Sequence, residues 1–405
     1  MSSTHNQSVN VLAGILPLKL RFHELNCKFI IQCMSTKSPL LSILNELKII
    51  NPSCHLLSSY NDCSSFNISS ASNYFSFDLD VHTFKPSIDF SLIDEINFCR
   101  PFHNGIIKML VDNKISNVLK HNIFHTDGSL FNNNYGFGIY NSRISYFYRL
   151  SQPCSVYVAE LSAIYFSICC IHKLSPAIYY ICTDSLSSLL AINSFHFNNK
   201  SHYFLFFIKK MLLDLHSQGF IIKLLWIPSH CDIFGNEQAD RLAKLGSKIG
   251  VHFERIIQMF EYFPQLNRNS SSEWQNLWSI DLMGRWCHSI IPIVKNKSWF
   301  HDLNMNRNFI KTFSRIMSNH YCLKSHLFRI NIIDNQMCDC NQSYEDIDHI
   351  LFHCNKFNDY RERIFNSSSL LQKKIIISIR DAVGTRNIFL MKLFYNFLLD
   401  NSIKL

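Results

Sequence analysis

Between residues 119 and 250 the hydrophobic period switches repeatedly between strand and helix spacing, and the order of the switches leaves few folds open. A short apolar run at 122–126 leads into Asp127-Gly128-Ser129. Segments 135–140 and 143–150 read as strands joined at Asn141-Ser142, which is hairpin chemistry. Residues 158–172 carry apolar side chains at helical spacing, and 177–182 are β-branched and aromatic. A short helix at 185–193 and a longer one at 202–216 follow, then an Ile- and Leu-rich strand at 220–227 and a last helix at 235–247. The order β-β-β-α-β-α-α-β-α predicts an α/β fold, a five-stranded mixed sheet with helices on both faces.

Outside this block the chain reads as mostly helical. Residues 11–50 hold a Leu-Pro-Leu turn and a mixed apolar helix pattern, 51–75 are rich in Ser, Asn and Cys and read as a loop, and 251–405 are mostly helical. At 405 residues and 47% hydrophobic, the chain has room for two or three domains and is not a disordered polymer. The 15 cysteines are spread along its whole length, and the opening MSSTHNQSVN lacks a basic stretch followed by an apolar run. We therefore expect an intracellular protein with reduced thiols. The longest apolar stretches, 204–208 and 221–228, are too short to cross a bilayer, so no membrane partner is expected.

The net charge of +9 suits a polyanionic partner, and suits equally a chain from a compositionally biased genome. Its distribution sharpens the first reading. Residues 241–330 hold 13 Lys or Arg against 5 Asp or Glu, nearly the whole surplus. Trp274, Trp278, Trp286 and Trp299 are interleaved there. Basic and aromatic side chains together suit phosphates and stacked bases. The same pattern also describes an aromatic core beneath a solvated basic face.

Four carboxylates fall where strand ends and helix starts converge. Asp127 closes the first strand, Glu160 lies in the first turn of the first helix, Asp184 ends the fourth strand and Asp240 lies in the last helix. Taken singly each has a bland role: a turn residue, a charge at a helix N-terminus, a helix cap. Taken together they would repel unless cations neutralise them, and hard oxygen donors favour Mg²⁺ or Mn²⁺. Paired ions about 4 Å apart serve in-line displacement at a phosphodiester.

Residues 122–246 resemble the type 1 ribonuclease H domain. The matching segments are TDGS at 126–129, AEL at 159–161, TDS at 183–185 and IPSHCDIFGNEQADRLA at 227–243. The resemblance implies an RNA–DNA hybrid as partner and two Mg²⁺ or Mn²⁺ ions as cofactors. It implies that Asp127 bridges both ions, that Asp127 and Asp240 hold the ion activating water, and that Glu160 and Asp184 hold the ion near the leaving 3′ oxygen. Glu160 would also approach a ribose 2′-OH, and His230 would assist proton transfer or product release. The products would carry 5′-phosphate and 3′-hydroxyl ends. Three departures stand out: Asn132–Asn134 replace a Gly-rich stretch, Leu186 follows TDS, and no Lys-rich handle lies between Asp184 and Phe220.

Cys338, Cys340, His349 and Cys354 form the pattern Cys-x-Cys-x8-His-x4-Cys, a closed ligand set suited to structural Zn²⁺, with His353 a fifth candidate. This arrangement resembles the C-terminal region of jockey-like non-LTR retrotransposon polyproteins, and VLAGILPLKLR at 11–21 is similar to the segment that follows the reverse transcriptase there. The chain contains no Asp-Asp dipeptide, so the reverse transcriptase signature is missing. The resemblance implies a truncated or domesticated C-terminal part. It divides the chain into a connection segment (1–118), a ribonuclease H domain (119–250), a basic helical segment (251–330), a zinc module (331–365) and C-terminal helices (366–405). A hybrid-cleaving endoribonuclease is the expected function; the alternative is a nucleic-acid-binding remnant that does not cleave. No protein partner is deducible.

Overall fold

The computed structural model describes residues 5–51, 54–64, 66, 79–98, 104–194, 201–366, 378–403 and 405. Two compact units emerge, one of residues 27–265 and one of residues 1–26 with 266–405. Much of the expected loop at 51–75 lies outside the described residues, but His55–Cys63 within it is helical. None of the described helices is long and apolar enough to cross a membrane.

The first unit is built on a mixed sheet. Its strands are β1 (Ser87–Asp89), β2 (Ile123–Phe131), β3 (Asn134–Tyr140), β4 (Ser145–Leu150), β5 (Ile178–Thr183), β6 (Ile221–Trp226) and β7 (Val251–Phe253), in the spatial order β1-β6-β5-β2-β3-β4-β7. The expected five strands are the middle of this sheet. The two short edge strands, β1 and β7, pair in parallel with β6 and β4 and bring the total to seven. Three residues each are too few for a legible alternation, so they escaped the periodicity.

The β2–β3 hairpin explains the Asn-rich departure. Phe131 pairs with Asn134, and between them Asn132 and Asn133 adopt φ of 46° and 62°. Two consecutive left-handed residues make the tight turn whose twist matches paired strands, and Asn tolerates that conformation better than most side chains.

The two faces of the sheet are covered by different helices. In β5, Tyr179 and Ile181 point into one core, while Tyr180 and Cys182 point into the other. The first core is completed by the helices Val156–Ile171, Leu186–Asn193 and Tyr203–Ser217. Ser155 caps Val156–Ile171 by accepting from the Val158 N–H at 3.2 Å. The opposite face of β2, β5 and β6 is covered by Ser91–Phe98 and Asn104–Ile115, through Leu92 and Val111. Beside them the helix Phe234–Ile249 lies across β2, β3 and β4.

That last helix lies unusually close to the sheet. A Cβ on Gly136 would stand 2.1 Å from the Ser247 backbone nitrogen, and one on Gly138 would stand 2.4 Å from the Ala239 oxygen. On the far edge, the buried Arg255 guanidinium donates to both Glu261 carboxylate oxygens at 2.9 and 2.7 Å and to the Ser151 carbonyl at 3.0 Å, tying the segment after β7 to the end of β4.

The second unit is helical, with an aromatic core. Trp274 and Trp278 are fully buried, Trp299 nearly so, and they pack with Phe309 and Phe313 of the helix Arg307–Met317. The indole N–H groups of Trp278, Trp286 and Trp299 donate to Ile291 O, Ile316 O and Ser314 Oγ. Trp274, Trp278 and Trp299 are therefore core residues rather than stacking platforms for bases. Arg268, Arg285, Lys295, Lys297, Arg307 and Lys311 stay exposed, so the segment is an aromatic core beneath a basic surface.

The glycine contacts lead to a stability expectation. Gly138→Ala should destabilise the protein by about 1–3 kcal/mol, because a methyl group at 2.4 Å from backbone forces the helix off the sheet. Urea unfolding followed by circular dichroism would measure it, and an unchanged midpoint would show that the helix can retreat freely.

Candidate functional site

The acidic cluster begins with strand register. β2 and β5 run parallel and pair residue for residue up to Thr126 with Thr183. The residue after each of this last pair is an aspartate, so Asp127 and Asp184 leave that ladder side by side. Asp127 does not end its strand: β2 continues for four more residues, paired with β3 alone, and Asp127 lies opposite Gly138. Asp184 is not a helix cap either. The cap position of Leu186–Asn193 is Ser185, and the Asp184 carboxylate instead accepts from Asn236 Nδ2 at 3.3 Å.

The third carboxylate comes from the helix across the sheet. Val156–Ile171 starts two residues earlier than its spacing suggests, so Glu160 lies in its second turn rather than its first. Gly128 sets its depth. A Cβ there would stand 2.7 Å from the Glu160 nitrogen and 3.0 Å from the Ala159 Cβ. With no side chain between them, strand and helix close up and Glu160 comes to rest beside Asp127. One carboxylate oxygen each from Asp127, Glu160 and Asp184 lies within 4.8 Å of the others.

Three carboxylates so close repel, and the surroundings make this worse. Burial raises Asp127 to about 7, helped by the charges of Asp184 and Asp240 and opposed by a hydrogen bond from Glu160 and one from the Gly128 N–H. Glu160 is pushed well above its ordinary value by burial, then by the charges of Asp127 and Asp184. Burial also raises Asp184, against the Asn236 hydrogen bond and the nearby His230. Oε2 of Glu160 is buried with no hydrogen-bond partner. Clustered oxygens, an orphaned acceptor and raised proton affinities fit a hard divalent cation as the missing counter-charge.

Asp240 stands at the margin of this group. Its charge reaches Asp127 and Asp184, but its carboxylate lies outside the 4.8 Å set and pairs with Lys244, one helical turn on, at 2.6 Å. His230 is exposed on the loop between β6 and Phe234–Ile249, with φ of 55°. Sequence reasoning quoted Asn236 within a motif without giving it a task, and missed the Lys244 pairing. The i, i+4 spacing of Asp240 and Lys244 was the available signal.

The Cys/His residues also converge, within the other unit. One ligand atom each from Cys338, Cys340, His349 and Cys354 lies within 4.8 Å of the others. Cys338 Sγ and Cys354 Sγ are 3.9 Å apart, and Cys340 Sγ is 3.1 Å from His349 Nε2. A tight turn shapes the first two ligands: the Cys338 N–H donates to Ser343 O at 2.9 Å, and Asn341 takes a left-handed φ of 59°. A single π-helical turn, His349–His353, carries the third ligand and delivers the fourth, with the Cys354 N–H donating to His349 O at 2.7 Å. His353 is exposed at the end of that turn and takes no part in the cluster. Three thiols and one imidazole fit tetrahedral Zn²⁺.

Comparison with known proteins places the sheet unit. The RNase H family model matches residues 120–248. That segment is an RNase H domain. The chain is similar to the solved structure of RNase H1 from the halophilic archaeon Halobacterium salinarum, at 16% identity and a TM-score of 0.24, over 31% of this chain and 95% of that one. It is similar also to the N-terminal RNase H domain of a Mycobacterium tuberculosis protein, solved as a fusion with maltose-binding protein, at 19% identity and a TM-score of 0.25, over 31% of this chain and 98% of that one. No curated protein sequence matches the chain.

The raised Asp127 makes stability depend on pH when no metal is bound. Between the unfolded value near 4 and the folded value of about 7, the folded RNase H domain binds more protons than the unfolded chain. Stability therefore falls as pH rises through that window and stays lost above it. Asp127→Asn should raise the melting temperature in EDTA by a few degrees above pH 7, with the difference vanishing below about pH 4. Thermal unfolding across pH 4–8 checks this, and a pH-independent difference would contradict it.

Proposed function

We propose that the RNase H domain hydrolyses the RNA strand of RNA–DNA hybrids, with two divalent ions, Mg²⁺ or Mn²⁺, held by Asp127, Glu160, Asp184 and Asp240. The observation that carries this reading is the buried convergence of Asp127, Glu160 and Asp184 within 4.8 Å in a domain of this family. Bound there, the ions would supply an activated water and stabilise the charge on the leaving oxygen.

The chain's own residues set up that chemistry. Asp127, flanked by Asp184 and Glu160, provides the central negative charge. Asn236 orients Asp184 by holding its Oδ2. Glu160, in the same cleft, would also approach a ribose 2′-OH, the group that separates RNA from DNA. Asp240 would have to exchange Lys244 for the ions. His230, near enough to lower Asp184 and exposed on its loop, would move a proton at the mouth of the site. In the second unit, Cys338, Cys340, His349 and Cys354 would hold a structural Zn²⁺, and the exposed basic residues there would contact nucleic acid phosphates. This combination, with the motifs at 11–21, supports descent from a retrotransposon polyprotein.

Two measurements test the reading. Asp127→Asn should abolish cleavage of an RNA–DNA hybrid in Mg²⁺ or Mn²⁺ while leaving the fold and hybrid binding in place, since the shape is kept and the charge is lost. Wild-type rates in that variant would remove the cleft from consideration. A folded wild type inactive in both metals would assign a binding role without cleavage. Purified protein should also carry one equivalent of zinc by elemental analysis, and Cys354→Ser should lose it together with several degrees of melting temperature. Full folding with no zinc in the wild type would refute the structural site.

A further inference from the structure

The loop at 228–233, which carries His230, has two residues in the uncommon left-handed region. His230 and Asp232 both adopt left-handed backbone, with φ of 55° and 58°. Neither is glycine, so the conformation costs some energy that the packing at the loop's ends has to offset. At the start of the loop the Ile227 N–H donates to Thr183 O at 3.0 Å, and at its end Ile233 is buried. Between these fixed points Cys231 packs against the core that helices Ser91–Phe98 and Asn104–Ile115 form over the sheet. At the surface, Asp232 accepts a hydrogen bond at its Oδ2 from Asn104 Nδ2, at 2.8 Å.

Asn104 is the first residue of Asn104–Ile115, and lies 128 positions before Asp232 in the chain. The helix itself packs into the core over the sheet through the buried Val111. It precedes the matched RNase H segment, which begins at residue 120. A segment outside the domain thus reaches back to the loop that carries one of its candidate site residues.

We propose that Asn104 and Asp232 are a positioning pair: helix Asn104–Ile115 clamps the His230 loop through this bond and thereby sets turnover. The second half of the proposal rests on the nuclease reading. The first half stands without it. With the pair intact, the imidazole is presented at the mouth of the site from a loop whose left-handed residues are pinned on both sides. With the pair broken, only Cys231 and the loop ends remain to resist relaxation.

The test exchanges the two side chains. Asn104→Asp sets two carboxylates against each other and removes the donor, while an acidic residue in the first turn suits the helix itself, so helix loss is not the cause of any effect. Asp232→Asn alone keeps an acceptor for Asn104 and tolerates the left-handed backbone. The double variant Asn104→Asp/Asp232→Asn restores the bond with donor and acceptor reversed. In the full chain, backbone amide order parameters at 229–233 should fall in Asn104→Asp and return to wild type in the double variant. On an RNA–DNA hybrid, kcat should fall several-fold in Asn104→Asp with KM unchanged, and recover in the double variant. In a His230→Ala background the same substitution should leave kcat where it was, because the clamp acts through His230.

Equal order parameters in wild type and Asn104→Asp overturn the clamp. Lowered order parameters with unchanged kcat overturn its role in turnover and leave the clamp. A wild type that cuts no hybrid overturns the nuclease reading and the turnover role with it, while the order parameters still decide the clamp.

Discussion

The parallel ladder between β2 and β5 carries the acidic site. While the ladder lasts, the two strands share each other's backbone groups. Beyond Thr126 and Thr183 β2 has only β3 on one side and β5 has turned into a helix, so the side chains just past that point share one opening. Both are aspartates. The third carboxylate reaches them because Gly128 removes the side chain that would otherwise hold the Val156–Ile171 helix away. A methyl group at 2.7 Å from the Glu160 backbone would push the helix off and take Glu160 with it. On the other face Gly136 and Gly138 play the same part for the helix that carries Asn236 and Asp240. Charge placement in this domain is thus set by backbone-to-backbone distances rather than by any attraction between the charged groups.

Those charges oppose folding. Packing carboxylates in a poorly solvated cleft drives their proton affinities up, and the rest of the unit has to supply the stability this costs. It does so with two hydrophobic cores on either side of one sheet, and with the short strands β1 and β7 added at its two edges. The helices Ser91–Phe98 and Asn104–Ile115 complete one core, and the buried Arg255–Glu261 pair ties down the segment after β7. The site itself is left strained in charge and in backbone, with left-handed residues in the His230 loop.

The second unit follows a different logic. Its stability comes from large aromatic side chains, Trp274 and Trp278 above all, whose burial frees the basic residues to point outward. The Cys/His cluster draws side chains from a turn, a π-helical turn and the residue after it into one place without any long-range sheet. Residues 1–26 belong to this unit: Gly14, with φ of 66°, lies against the Lys297 backbone where no Cβ would fit, and the Trp299 N–H donates to Leu12 O at 3.1 Å.

Local patterns in the chain were enough for the five central strands, the helices between them and the grouping of the Cys/His candidates, because strand alternation, helical spacing and motif spacing are all written within a few residues. Short-range motifs also named Asp127, Glu160, Asp184 and His230 as candidates. What they could not state was how far apart these groups lie. Edge strands of three residues have no period to detect, and whether a tryptophan is buried or offered to a ligand depends on what packs over it. Asp240 shows the limit most clearly: its place in the last helix was legible, but its pairing with Lys244 and its position outside the tight set of three depend on how that helix sits on β3. The Asn104–Asp232 bond joins residues 128 positions apart that no local pattern connects. Distances of that kind are decided by packing between elements, and only the tertiary structure contains them.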